Sequence, residues 1–383
     1  MTYRGKTLTR GLATITTATV ALAGAAPARA QTSDAMPSFN GTVWTVAYAG
    51  STVYLGGDFT AAIVGGKPVA RGHTAAVDAR TGALLPWAPA TDGRVKALAV
   101  DASSVYLAGD FRTVGGQSRD SLARVDATTG AVSGALQHAI TGTPSAIAIA
   151  GNRLYVGGSI SVVDGQARGR LAAFKLTTGA LDRRWKPTAD DQVETIATGG
   201  GRVYLGGKFH KINGSPGYDR LAALDPVDAT LVTAFKPRPP VIALAIAVTA
   251  DGVYSAHGGQ GGRISAYTPT GGLRWSATFD GDAQAVTVLG DTVYAGGHFD
   301  RACSTARTGT QGACVDGSDD RVKLAALAVA DGHLLDWTAD ANGVEGVLAL
   351  ASSPSLGTIA MGGAFTTVDG RAQKRFAQFS QFS

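Results

Sequence analysis

Short apolar runs separated by glycine-rich polar turns follow one another along the whole chain, and nowhere do apolar positions recur with a helical period. The clearest run is "VYLGGDF" (53–59), with near-copies at "VYLAGDF" (105–111), "LYVGGSI" (154–160), "VYLGGKF" (203–209) and "VYAGGHF" (293–299). Aligned on the tyrosine, the copies fall at Tyr54, Tyr106, Tyr155, Tyr204, Tyr254 and Tyr294, with Ala360 in a seventh slot. A spacing near fifty residues marks a repeat architecture. In the second repeat "RVKALAVDA", "VYLAGDF", "SLARVDATTG" and "AVSGALQHA" read as four successive strands, with "RTVGGQSRD" as a loop. The expected fold is all-β: a seven-bladed β-propeller of four-stranded antiparallel blades.

The repeated glycines fit that geometry. Strands near a propeller axis must be small, and the innermost ones carry Ala97 and Ala99, Ala146 and Ala148, Thr195 and Ala197, Ala245 and Ala247. The glycine pair ends the second strand, where backbone must bend or approach closely. "DARTGAL", "DATTGAV" and "KLTTGAL" place a glycine at the left-handed position of a hairpin turn. Most repeats close on an aromatic and a short connector, as in "WAPATDGRV", "WKPTADDQV" and "WTADANGV". The last repeat lacks this piece, and "MPSFNGTV" (36–43) is expected to supply its outer strand and close the ring.

The N-terminus reads differently. Arg4, Lys6 and Arg10 precede the apolar stretch "LATITTATVALAGAA", and "ARA" (28–30) is an A-x-A cleavage site. Residues 1–30 are therefore expected to be a signal peptide, 31–36 a short linker and 37–383 a single propeller domain, secreted and extracellular. The chain carries a net charge of +5, but Arg4, Lys6, Arg10 and Arg29 leave with the signal, and about +1 remains. That small excess argues against a nucleic-acid binder, and no membrane span is expected in the mature protein. Cys303 and Cys314, eleven apart in an exported chain, are expected to form a disulfide within an insertion at about 300–323.

At the pattern "VYLGGDF…VGG…R…LA…D…TGAL…W.P" the chain resembles the delta-60 repeat family of secreted bacterial proteins, over residues 37–383. The resemblance implies a propeller and no defined activity. A weaker similarity to quinoprotein-type propellers rests on "AAVDARTGALLPW", and the Gly-Gly pair resembles kelch propellers. Kelch-type copper oxidases need a tyrosine–cysteine cofactor, which a disulfide pair does not provide.

Three regions could carry chemistry. Just before the third strands lie His73, Arg170, Arg220, Arg263, Lys323 and Arg375, with Ser121 the exception. Asp92, Asp190, Asp191, Asp282 and Asp340 lie on the loops into the first strands. This ring is either a charged funnel for an anionic glycan or inter-blade ion pairing, and near-universal repetition favours the structural reading. The second region is the channel mouth, where the second inner-strand residue varies: Trp44, Lys96, Ser145, Glu194, Leu244, Gln284 and Glu345. Trp44 could stack on a sugar ring, and Glu194 with Glu345 could form an acid–base pair; the plain alternative is a solvated rim. The third is the asymmetry between "SAHGGQGGR" (255–263) and the expanded "DRACSTARTGTQGACVDGSDDRVK" (300–323). His257, His298, Asp300, Asp316, Asp319 and Asp320 would line a one-sided groove there, unless the insertion is only a tolerated surface loop.

No cofactor is expected, with calcium left as a weak alternative. "DANGVE" (340–345) is a fragment of a calcium-loop pattern without its full ligand set, and no paired histidines point to a metal. There is no GxSxG, P-loop or CxxC. The leading expectation is a non-catalytic propeller binding a glycan, peptide or cell-envelope partner on its loop face. The alternative is a polysaccharide hydrolase or lyase using Glu194 and Glu345; a quinone-dependent dehydrogenase rests on repeat resemblance alone.

Overall fold

The computed structural model describes residues 36–259 and 261–380, so the export-signal reading of residues 1–30 lies outside the described residues. Among those residues there is no α-helix, and no helix long and apolar enough to cross a membrane. Each repeat folds as one antiparallel sheet. In the first, Val43–Ala49 pairs with Thr52–Gly57, which pairs with Thr74–Asp78. Seven sheets of this kind occur among the described residues. Their inner strands are Val43–Ala49, Val95–Val100, Pro144–Ala150, Val193–Gly199, Ile242–Val248, Ala283–Leu289 and Val347–Ser353. Neighbours in this series touch, and Val347–Ser353 also touches Val43–Ala49. Apolar clusters fill the seams between sheets; one joins Val43, Val46 and Phe59 to Ala360 and Phe376 of the last repeat.

The two glycines of each pair do different jobs. A Cβ on Gly56 would lie 2.6 Å from Cγ1 of Val95 in the next repeat, and one on Gly362 would lie 2.6 Å from Cγ1 of Val43. The first glycine therefore admits the neighbouring sheet. A Cβ on Gly57 would lie 2.1 Å from the Thr42 carbonyl oxygen, so the second glycine admits its own inner strand. That strand bulges here. Pairing skips from Val43 to Thr45, and the same irregularity recurs at this place in all seven sheets.

The expected fourth strand is complete in the fifth sheet, where Leu273–Thr278 pairs along Arg263–Tyr267. In five others the outer segment keeps one bridge to the third strand: Val77 with Leu84, Val125 with Val132, Phe174 with Leu181, Leu224 with Leu231, Leu327 with Leu334. Prolines in "LLPWAP", "RWKPT" and "FKPRPP" cannot donate to a ladder, and "LRWSAT" has none. An arginine of the preceding loop takes up freed carbonyls instead. Arg71 Nη2 donates to Leu85 O at 2.7 Å, Arg119 Nη2 to Ser133 O at 2.6 Å, and Arg321 Nη2 to Leu335 O at 2.9 Å. The fifth repeat lacks that loop and arginine, and keeps the strand.

The N-terminal strand also departs from expectation. Ser38–Phe39 pairs with Ala61–Val64 of the first repeat, not with the last strand, Phe376–Ser380. Pro37, with no N–H, is unsuited to extending a ladder beside that strand. The segment still links the last repeat to the first: Phe39 N–H donates to Lys374 O at 3.2 Å, and its ring packs against Phe59 and Phe376. Thr91, Ala189, Phe279 and Ala341 make the same bond back to Gly72, Gly169, Gly262 and Val322. Residues 37–40 thus act as a connector, not as an outer strand.

The closing aromatics are clasps. Trp87 packs edge-on against Tyr54, and Trp185 against Tyr155, each at 4.9 Å. Trp87 Nε1 donates to Asp126 O at 2.9 Å and Trp185 Nε1 to Asp225 O at 3.1 Å, both in the hairpin turn of the next repeat. The expected disulfide joins Cys303 to Cys314.

Candidate functional site: the bulge ring and the cleft between repeats five and six

The bulge explains why the second inner-strand position varies. A bulged residue is released from the ladder, and its side chain answers to local partners instead. Trp44, Lys96, Ser145, Glu194, Leu244 and Gln284 all occupy it, each half-buried. Glu345 does not. Register in the last sheet pairs Val347 with Gly363, as Val43 pairs with Gly57, so Leu348 is the bulged residue. Glu345 sits three positions earlier in the exposed loop, where Gly346 with its left-handed backbone separates it from the strand.

Most polar members of the ring are matched to the residue after the glycine pair in their own sheet. Trp44 Nε1 donates to Asp58 at 3.2 Å, Lys96 pairs with Asp110 at 2.9 Å, and Glu194 with Lys208 at 3.2 Å. Charge order reverses between the last two pairs, as expected of complementary local pairs. Glu194 also accepts from Gln192 Nε2 at 3.1 Å. Over the Trp44 ring lies the Arg94 guanidinium, 4.9 Å from its centroid, so one face is already stacked.

In the cationic ring Lys323 pairs with Asp300 of its own repeat at 2.6 Å. His73, Ser121, Arg170, Arg220, Lys323 and Arg375 share left-handed backbone. Each donates its N–H to the carbonyl two residues beyond the glycine pair, as from His73 to Phe59 O at 2.9 Å. Three of the side chains turn back into their own sheet: Arg170 Nη1 to Ser159 O at 3.3 Å, Lys323 Nζ to His298 O at 3.0 Å, and Arg375 Nη1 to Ala364 O. Arg263 differs, because in the fifth repeat the strand continues through this position and pairs it with His257.

The aspartates divide similarly. Asp92 Oδ1 accepts from Arg112 and Thr113 N–H at 2.7 and 2.8 Å. Asp190 serves His210 and Lys211, Asp280 serves Asp300 and Arg301, and Asn40 and Asn342 do the same in the first and last repeats. Burial works to raise the carboxyls of Asp92 and Asp190, but these backbone bonds outweigh it and hold both below the usual range. "DANGVE" is therefore one of these turn caps, with Asn342 as the acceptor. Among the described residues no group of three or more His, Cys, Asp or Glu is placed to hold a metal ion.

The groove between repeats five and six is present in altered form. A cleft of about 430 Å³ is lined by Gly259, Asp280, Gly281, Asp282, His298, Asp300 and Gln311. His298 and Asp300 are exposed into it, and Asp300 also pairs with Lys323 at 2.6 Å. Asp282 Oδ1 accepts from Gly259 N–H at 2.6 Å. His257 is not in the wall. It is fully buried, its Nε2 sharing a hydrogen bond with Ser255 Oγ at 2.7 Å. Burial first, and the Arg263 charge second, push its imidazole down to about 3, so it is neutral at pH 7. Asp316 is held by Arg307 and Thr305, and Asp320 by Arg301, within the insertion itself. Asp319 faces a separate side groove with Cys303 and His333. Sequence reasoning missed Asp280 and Gln311; the recurring Asx-Gly at 40–41, 92–93, 280–281 and 342–343 was the available signal for the first.

No family model matches the chain, and no curated protein does. Among solved structures it is similar to the WD40 β-propeller domain of Doa1, with a TM-score of 0.56 at 10% identity, over 91% of this chain and 96% of that one. It is also similar to the computationally designed Ika8 protein, with a TM-score of 0.50 at 16% identity, over 92% of this chain and 99% of that one. The chain has a β-propeller fold. At these identities the likeness extends to fold alone.

Proposed function

We propose that the protein is an exported, non-catalytic, seven-bladed β-propeller, closed into a ring, that binds a cell-envelope or extracellular glycan in the cleft between repeats five and six. The observation that carries this reading is the cleft itself: the shortened loop gives it Gly259 and the disulfide-tied insertion Asp300 and Gln311, Asp280–Asp282 and His298 complete the lining, and Asp282, His298 and Asp300 offer polar groups to sugar hydroxyls. Seven blades and closure draw support from the seven sheets and from Gly362 and Lys374 meeting Val43 and Phe39. Export draws support from the N-terminal pattern and the disulfide, and kinship with the delta-60 repeat family from the repeat motif. A non-catalytic role fits the pairing of Glu194 with Lys208 and the displacement of Glu345 from the ring.

The test is a glycan and polysaccharide screen of residues 31–383, reading binding and released product by mass spectrometry. Binding without product, weakened about tenfold by Asp282→Asn with His298→Ala, is expected, tenfold being about 1.4 kcal/mol. Product that disappears in Glu194→Gln would make the protein a carbohydrate-active enzyme instead. Binding indifferent to the cleft variants would move the site elsewhere.

A further inference from the structure

The insertion of the sixth repeat leaves the hairpin arms Arg301–Cys303 and Ser318–Asp320 and folds over the shortened loop of the fifth. The contact is close but thin. A Cβ on Gly312 would meet Gly261 N at 2.6 Å and Asp280 O at 2.8 Å, and one on Gly261 would meet Thr308 Cγ2 at 2.8 Å. This docking sets Gln311 in the cleft wall. The flap brings no apolar anchor with it: "STARTGTQGACVDG" (304–317) has one large apolar residue, Val315, which is 49% exposed. Across itself the flap has a few backbone hydrogen bonds, Ser304 N–H to Gly317 O at 2.9 Å and Gly309 N–H to Ala313 O at 2.7 Å, a single bridge between Thr308 and Cys314, and exposed polar contacts of Asp316 with Arg307 at 3.1 Å and Thr305 Oγ1 at 2.6 Å. Such contacts hold little, and segments with few buried apolar contacts open locally. The covalent tie is the disulfide between Cys303 and Cys314, both half-exposed and so within reach of a reductant in solution.

We propose that this disulfide is a redox-operated latch on the cleft. Oxidised, it holds the flap against Gly261 and keeps Gln311 in the wall; reduced, it lets the flap leave while the seven sheets stay folded. In the opening step a small dithiol supplies two electrons and two protons to the S–S bond. Two cysteine thiols result, and the dithiol closes to its own disulfide. In the closing step a small-molecule disulfide takes two electrons and two protons from the two cysteine thiols and leaves as a dithiol, and the re-formed S–S bond relatches the flap. The latch does not depend on what the cleft binds.

Hydrogen exchange read by mass spectrometry on residues 31–383 tests it, comparing the oxidised protein, the protein reduced by dithiothreitol, and Cys303→Ser/Cys314→Ser. Exchange at residues 304–313 and at Gly261 and Gly262 should be at least about tenfold faster in the second and third samples, as for a locally opened segment. The thermal midpoint and exchange in the inner strands should be unchanged. Unaltered exchange in the flap would show that packing holds it without the bond. A general loss of protection, or a collapsed midpoint, would make the disulfide a staple of the whole fold; either result overturns the latch.

Discussion

His257 stands where the other sheets carry the second glycine, and it is the residue that most clearly breaks the repeat. Burial keeps its imidazole neutral, with a pKa near 3 against about 6.5 in the unfolded chain. Between those values the unfolded state binds a proton that the folded state refuses. Stability is therefore full above pH 6.5 and falls as the pH drops toward 3, by up to about 1.4 kcal/mol per pH unit from this group. Urea unfolding at intervals from pH 7 to pH 4 should show a shallower decline in His257→Gln than in the parent. Parallel declines would mean that the histidine is already solvated. The glycine pair itself was legible in the sequence, because repetition at fixed spacing points to packing. Its division of labour was not, since which glycine meets which neighbour depends on sheet register. Nor was the burial of His257: one histidine beside "GGQGG" reads as a loop residue until pairing with Ala243 and Arg263 places it inside a strand.

At the level of elements, strand count depended on side chains the repeat pattern did not rank. "R-x-[HRSK]" precedes each of several third strands, and the second of these residues drew attention as the charged ring. The first does more. Arg119 is 4% exposed and spans from Ser118 O to Ser133 O, both at 2.6 Å, holding the outer segment where a fourth strand would otherwise pair. Arg119→Met keeps the apolar stem and removes the donors. It should cost about 1.5–3 kcal/mol, the range for hydrogen bonds to charged groups. Exchange at the Ser133 amide, which donates to Arg124 O, should quicken, while the fully paired strand Leu273–Thr278 should not change. Equal protection at Ser133 in both proteins would assign the outer segment's order to its single bridge. The Asx-Gly turns carry a similar lesson. They are invisible as a site, because a capping carboxylate and a catalytic one look alike until the backbone N–H groups are located.

The seam between the last and first sheets turns on three residues that the repeat period does not cover. Pro37, Ser38 and Phe39 reach Gln373, Lys374 and Phe376 across almost the full length of the chain, through Gln373 Nε2 to Pro37 O at 3.3 Å, Lys374 N–H to Ser38 Oγ at 3.1 Å, and the Phe39 ring. Every other seam is joined by a covalent connector as well as by packing; this one has packing and hydrogen bonds alone. Phe39 is fully buried, so Phe39→Ala should cost about 3–5 kcal/mol, the range for emptying an aromatic core site. Position at this seam should matter more than the magnitude. Emptying Phe279, the equivalent residue between the fifth and sixth repeats and equally buried, removes similar contacts but leaves its seam covalently tied. Exchange at Val43–Ala49 and Thr358–Gly363 should therefore rise together in Phe39→Ala below the global transition, as the first and last sheets part. Phe279→Ala should lower the transition without such selective opening. If both variants unfold as one unit with the same exchange pattern, the N-terminal segment contributes stability like any other core element and is not the fastener of the ring.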